Sequence, residues 1–224
     1  MPMLGQDRAV DGHRAADAGG IDVPPRVRNP WGQGARLRTE ILRAASQLLS
    51  ALGGEEGLTV RGVARAAGIA PASIYAHFAD KNDLVRAVAV YEHEQLATCM
   101  RDAENLAGPE DTFGRLRAQV RAYCSFAIDN PSHYRLMVAL RLEARRRHSH
   151  GPEAGSVIET ITTALQRCEA AGLGLRLSPQ RAAIMLFVSV HGRVALWHSN
   201  PEAGRLEDVH AFVDELLSLI IDPR

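Results

Sequence analysis

The 224-residue chain contains one lysine, Lys81, although its lysine and arginine total is 26. Its basic charge is almost all arginine, so the single ammonium group stands out. Net charge is absent as well: 26 basic residues face 26 acidic ones. No global field draws a polyanion, and any such argument must come from local charge. Cysteine is scarce. Cys99, Cys124 and Cys168 are far apart and form no CxxC pair, which excludes a disulfide framework or a cysteine zinc site and fits a reducing compartment. Aromatics are only 5%, so a chain that is 46% apolar must build its core from Ala, Leu, Val and Ile. No run approaches the roughly 18 apolar residues of a membrane span, and the first residues lack the apolar centre of a secretory signal. Both absences predict a cytoplasmic protein with no membrane partner. GxSxG, HExxH, P-loop and dinucleotide fingerprints are missing too, which predicts no enzyme, no cofactor and no metal site.

What is present is helical period. Residues 1–34 are the exception: rich in Gly, Pro, Asp and Arg, they read as a disordered arm. The stretch "PPRVRNPWGQGARLR", which spans the end of this arm and the first residues beyond it, carries Arg26, Arg28, Arg36 and Arg38 with no acid. It is either a solvated tail or a basic arm lying on phosphates. Farther along, Ile41, Ala45, Leu48, Leu49 and Leu52 form one apolar stripe, ended by Gly53 and Gly54. Thr59 suits the N-cap of a second helix carrying Val63 and Ala64 inward. Gly68 breaks the chain, and Pro71 opens a short third helix ending near His77. Asp80 caps a long fourth helix, with Asp83 in the reciprocal position. Proline then punctuates: helices are expected at about 109–129, 131–146, 152–171, 179–199 and 205–221, with Asn130 and Ser178 as N-caps for two of them. The fold class is all-α, with nine helices and no convincing strand. Between Arg145 and Pro152, "RRRHSHGP" reads as a solvated loop; metal binding by His148 and His150 would need further ligands.

Two short helices joined by a glycine turn and resting on an amphipathic helix make a helix-turn-helix, which offers its second helix to the DNA major groove. In "GIAPASIYAHFADKNDL" the small residues Ala72, Ser73 and Ala76 allow close approach to the groove floor. Tyr75, His77 and Lys81 supply hydrogen-bond donors at its edges. Local charge agrees: from Arg26 to Lys81 there are eight basic and four acidic residues, and beyond Lys81 there are 16 and 18.

The string "TVRGVARAAGIAPASIYAHFADKNDLV" resembles the N-terminal domain of the TetR family of transcriptional regulators, over about Arg38 to Leu96. The resemblance implies DNA contacts from Arg38, Thr59, Arg61, Ala72, Ser73, Tyr75, His77 and Lys81. In the family, Arg61 commonly reaches a base edge, and Thr59, Ser73, Tyr75, His77 and Lys81 the phosphates. Ala70 departs from the usual Ser or Thr, which costs the recognition helix its side-chain cap, about 1 kcal/mol. With Ala72 and Ala76 on the reading face, Arg61, the arm and DNA shape must carry more of the specificity.

A second domain is more than a DNA reader needs, so the expected organisation is an arm (1–34), a reading domain (35–82) and an effector-binding and dimerisation domain (83–224). "RAAIMLFVSVHGRVALW" is apolar nearly all round, so its helix is expected to be buried on several sides. The last helix carries a wide stripe too. Together they suggest a subunit interface through Phe187, Val194, Phe212, Leu216 and Ile220. The resemblance implies a four-helix bundle there with a symmetry mate. His191 and Gly192 resemble two members of a Trp-His-Gly motif, with Val190 in place of the tryptophan. Phe113, Tyr123, Met137, His191 and Trp197 are either core or the lining of an effector pocket. The reading is therefore a homodimeric regulator that binds a palindromic duplex operator as a repressor and is released by a small, largely apolar molecule. The rival is a helical protein-interaction module.

Overall fold

Apolar residues recurring every third or fourth position fold the chain into nine α-helices among the described residues. The computed structural model describes residues 34–146, 152–200 and 204–222, and of 141–146 and 152–156 only the backbone. The arm before Gly34 and the loop with His148 and His150 lie outside the described residues. The helices are α1 (Gly34–Leu52), α2 (Val60–Ala66), α3 (Pro71–Tyr75), α4 (Lys81–Leu106), α5 (Thr112–Asp129), α6 (Pro131–Arg146), α7 (Pro152–Ala170), α8 (Pro179–Ser199) and α9 (Leu206–Ile220).

Capping chemistry sets several boundaries. The Thr59 hydroxyl accepts from Gly62 N at 3.0 Å and opens α2. Asp80 accepts from Asp83 N at 2.7 Å, while Asp83 Oδ2 accepts from Ala79 N at 3.0 Å, so α4 starts at a doubly satisfied end. Pro109 does not start α5. Asp111 does, accepting from Gly114 N at 2.7 Å, and the helix begins three residues later than the proline suggests. Asn130 stands at the N-cap position of α6, its carbonyl accepting from Tyr134 N at 2.9 Å, but its side-chain amide donates back to Phe126 O at 2.9 Å and closes α5. Ser178 precedes α8 without a side-chain cap bond. Two strands of two residues, β1 (Gly174–Leu175) and β2 (Ile221–Asp222), pair antiparallel, which the helical period does not predict. They tie the turn before α8 to the chain leaving α9.

Two apolar clusters sit side by side. One joins α1, α2 and α3 to the first half of α4, with Ile41, Leu49, Val63, Ile74, Phe78 and Leu84 at its centre and Leu136 of α6 at its edge. The other joins the second half of α4 to α5–α9. The 26-residue α4, about 39 Å long at 1.5 Å per residue, runs through both.

Two buried polar knots fix α4 along its length. Glu92, in its middle, lies 3.6 Å from His133 Nε2 of α6. The same nitrogen is 3.2 Å from Ser46 Oγ and 3.4 Å from Ser50 Oγ of α1. Burial pushes the Glu92 carboxyl above the usual carboxylate value, and the Ser46 hydroxyl and the His133 ring only partly oppose it. At the far end Glu104 receives Arg115 NH2 of α5 and Arg167 NH1 of α7, each at 2.7 Å, and the Gln119 amide. Burial raises this carboxyl too, but the bonds and charge of the two guanidiniums outweigh it, and its pKa lies below the usual value.

Candidate nucleic-acid interface

The short α2 and α3 meet through a turn in which Gly68 adopts φ +66°, a left-handed conformation that side chains resist. Ile69 N then donates to Ala64 O at 2.9 Å, which returns the chain against α2. In α3, Ile74 is fully buried, and Phe78, just beyond it, is nearly so; both anchor the helix to the core. Its other side therefore has to face water. Ala72, Tyr75 and Ala76 are exposed, and Tyr75 leaves 58% of its surface open, more than a packing tyrosine would. Ser73 and His77 are half-buried at the flanks. As the sequence suggests, Ala70 makes no side-chain cap.

The remaining candidates lie on the elements that share a core with α3. Arg61 is exposed on α2. Thr59 is exposed, but its hydroxyl oxygen already accepts the cap bond, which leaves its O–H as the group able to donate elsewhere. Lys81 is exposed at the first turn of α4, where Nζ reaches the Glu56 carbonyl at 3.5 Å, the edge of hydrogen-bonding range. Arg38 stacks over the Phe78 ring, 5.2 Å from its centroid, so α1 fixes the back of the same surface. Small side chains in the middle with hydroxyl, imidazole, ammonium and guanidinium groups around them can admit a duplex edge and donate to its phosphates.

The pocket candidates are only partly brought together. Tyr123 OH lies 2.9 Å from His191 Nδ1. Phe113 is ten residues before Tyr123 on α5, about 15 Å away along the axis. Trp197 packs against Gly204 instead, where an added Cβ would meet its ring at 3.2 Å. Met137 is buried one turn beyond Tyr134. As members of this cluster, Tyr134 itself, His198 and Phe187 escape the sequence reading. Tyr134 OH is 3.2 Å from His191 Nδ1, and its ring lies 5.1 Å from that of His198. Phe187 stacks on His191 at 5.4 Å and meets Tyr123 edge-on at 5.8 Å. The seven-residue step from His191 to His198 puts both on one face of α8, and that is the legible hint. Burial, with Cys124 beside it, pushes the Tyr134 hydroxyl to about 12, and burial alone takes the Cys124 thiol to about 12, so neither ionises near neutrality.

The interface candidates also divide. Phe187, Val194 and Ile220 are buried within the single chain and belong to its core, while Phe212 and Leu216 are half-buried. Nor is α8 buried on every side: Ile184, Met185, Val188 and Leu196 lie at least half open to water, Val188 at 61%. Gly192 shares that face, and a Cβ added there would touch nothing.

Comparison with known proteins gives a consistent pattern. Residues 41–88 match a family model described as bacterial regulatory proteins, tetR family. Residues 116–220 match one described as tetracyclin repressor-like, C-terminal domain. The chain is 30% identical over 125 residues to the nucleoid occlusion factor SlmA of Photobacterium profundum, an alignment that takes in 55% of this chain and 63% of that protein's length. Among solved structures it resembles a protein of unknown function from Rhodococcus sp. RHA1, with TM-score 0.68, 26% identity and coverage of 86% of this chain and 99% of that one. It also resembles a TetR-family transcriptional regulator from Pectobacterium atrosepticum, with TM-score 0.66, 22% identity and coverage of 88% and 100%.

Proposed function

We propose a specific mechanism for this chain, which belongs to the TetR family of DNA-binding transcriptional regulators. The chain acts as a homodimeric repressor: two copies set their α3 helices into successive major grooves of a palindromic operator, and a small, largely apolar effector releases them. Residues 35–82 do the reading, and 83–224 bind the effector and the second copy. The observation that carries this is the outer face of α3, where Ala72 and Ala76 stay small, Tyr75 stays open, and donors from Ser73, His77 and Lys81 stand around them. Arg61 reads a base edge from α2, and Arg38 and Thr59 complete the phosphate contacts.

The bare face of α8 supports dimerisation. Ile184, Met185, Val188 and Leu196 expose a run of apolar surface that a monomer has no use for. Gly192 in its midst costs roughly 1 kcal/mol against alanine and repays nothing inside the chain. Close approach of a second α8 explains both. Phe212 and Leu216 of α9 lie half open and extend the contact.

The effector site is centred on Tyr123, Tyr134 and His191, with Phe187 and His198 as walls. The five side chains named here carry no carboxylate or guanidinium, which favours an uncharged, aromatic-compatible molecule with a group to hydrogen-bond the imidazole. An effector acts only by preferring one state over another. The two states differ in the tilt of α4, which holds Lys81 at one end and the effector domain at the other. Selection of bound duplex from a random pool tests the reading. The expected product is an inverted repeat whose halves lie about one helical turn apart, and recovery of no enriched sequence refutes it.

A further inference from the structure

Helix α6 gives a different side to each apolar cluster. Tyr134 and Met137 belong to the cluster of α5–α9, while Leu136, with Leu140, packs into that of α1–α3. Polar bonds pin the seam between α6 and α1 at two points. His133 is buried, and its Nε2 lies 3.2 Å from both the hydroxyl and the carbonyl oxygen of Ser46, in the middle of α1. It lies 3.4 Å from Ser50 Oγ. A carbonyl only accepts, so Nε2 carries the hydrogen and the imidazole donates. Arg135 donates from Nη2 to the Gly53 carbonyl at 2.8 Å, just past the end of the same helix. Ser46 and Gly53 are seven residues apart, about 10 Å along the axis. Two points that far apart fix the direction of α1 as well as its position.

We propose that His133 and Arg135 are positioning residues that set the distance between the two recognition helices of a dimer, and with it the half-site spacing the protein accepts. This rests on the operator-binding reading and assigns its spacing rule to residues outside the α3 surface. The effector domain holds the second copy, and α1 shares one core with α2 and α3. Freedom in the seam between α1 and α6 therefore becomes freedom between the two α3 helices. The continuous α4 joins the two halves but leaves α1 able to turn about it. Apolar packing of Leu136 and Leu140 resists separation and tolerates sliding. The His133 knot does not, because a slip leaves buried polar atoms without partners. One base pair added between half-sites moves one of them about 3.4 Å along the duplex and turns it about 35°. A pinned seam cannot follow both. Tyr134 stands between the two residues and points the other way, its hydroxyl 3.2 Å from His191 Nδ1. The turn that sets the spacing thus also borders the proposed effector site.

The test uses the full chain and a half-site that it has itself selected, rebuilt as inverted repeats whose spacers differ by one base pair. The unaltered chain should prefer one spacer over its neighbours by roughly tenfold, the scale of deforming a duplex to fit. Arg135→Ala and His133→Phe should each reduce that preference to about threefold or less. Both should leave affinity for a duplex with a single half-site unchanged. His133→Gln, whose amide can donate to α1 from nearly the same place, should keep the preference. An intact preference in both loss variants overturns the proposal. So does an equal loss on the single half-site and the repeat, which marks a merely structural role. Should His133→Phe not fold, the exposed Arg135 decides alone. If the unaltered chain selects no duplex at all, the operator-binding reading itself fails. A chain that selects a duplex and keeps its spacer preference without either side chain removes only the positioning role.

Discussion

Helices α3 and α8 each leave one side uncovered, with opposite chemistry. The open side of α3 is alanine and tyrosine with donors at its margins, and the open side of α8 is Ile184, Met185, Val188 and Leu196 around a glycine. A surface of small groups edged by hydrogen-bond donors suits a polyanion whose phosphates need donors. A surface of aliphatic groups, charged only at its N-terminal edge by Arg181, suits another surface like itself. Both helices have a well-buried inner face, so burial does not distinguish the two roles; the uncovered residues do.

The comparison breaks most sharply at α8. Val188→Glu places a carboxylate where a partner's aliphatic surface is expected, and its desolvation goes uncompensated. The expected outcome is monomers in sedimentation and a loss of operator affinity of about a hundredfold or more, roughly 2.7 kcal/mol or greater. Dimers that persist would put the interface elsewhere. On α2, Arg61→Ala should cost about 1–3 kcal/mol on the selected operator and relax preference at one base pair of each half-site. Equal loss on operator and random duplex would turn Arg61 into a phosphate contact. Lys81→Ala should do the reverse, weakening both duplexes alike and reducing the salt slope by roughly 0.9 per chain. An unchanged slope would leave Lys81 as a brace for the Glu56 carbonyl alone.

The smallest effect lies behind both surfaces, at Glu92. Its carboxyl is held above the ordinary value by burial, so the folded chain keeps that proton to a higher pH than the unfolded chain does. The corresponding stability is present below the unfolded value, about 4.3, and is lost as pH rises through the folded one. Glu92→Gln removes this loss, so its melting temperature should exceed that of the unaltered chain by an amount that grows as pH rises through that window. A gap that stays constant with pH would show that Glu92 does not titrate there.

The helices are legible in the sequence because period and cap chemistry are local. Thr59, Asp80 and Asp83 bond residues three or four positions away, and their types declare it. Asn130 shows the limit: the same side chain serves the helix behind it as readily as the one ahead. The two-residue strands escape because so short a run has no period. In the candidate site, the α3 face is readable from residue size and donor type. The surroundings of His191 are only partly so: Phe187, four residues before it, shares its face of α8, but Tyr123 and Tyr134 reach it from other helices that no local pattern links. Apolarity alone points Phe187, Val194 and Ile220 to a subunit contact, and apolarity cannot separate a chain's own core from a surface awaiting another copy.

In the proposed motion of α4 the Glu104 knot would be the fulcrum, and the Glu92 knot, twelve residues nearer Lys81, would have to yield. Three side chains from two helices grip a carboxylate near its C-terminal end, and among the described residues no comparable ion-pair clamp holds Lys81 at the other. Twenty-three residues separate the two, about 35 Å of helix. A tilt of roughly 5° about Glu104 would carry Lys81 about 3 Å, close to the spacing of one base-pair step. On the proposed reading the pivot would lie far from the DNA, so a displacement small at Glu104 would become, at the duplex, an error of nearly one base pair in alignment.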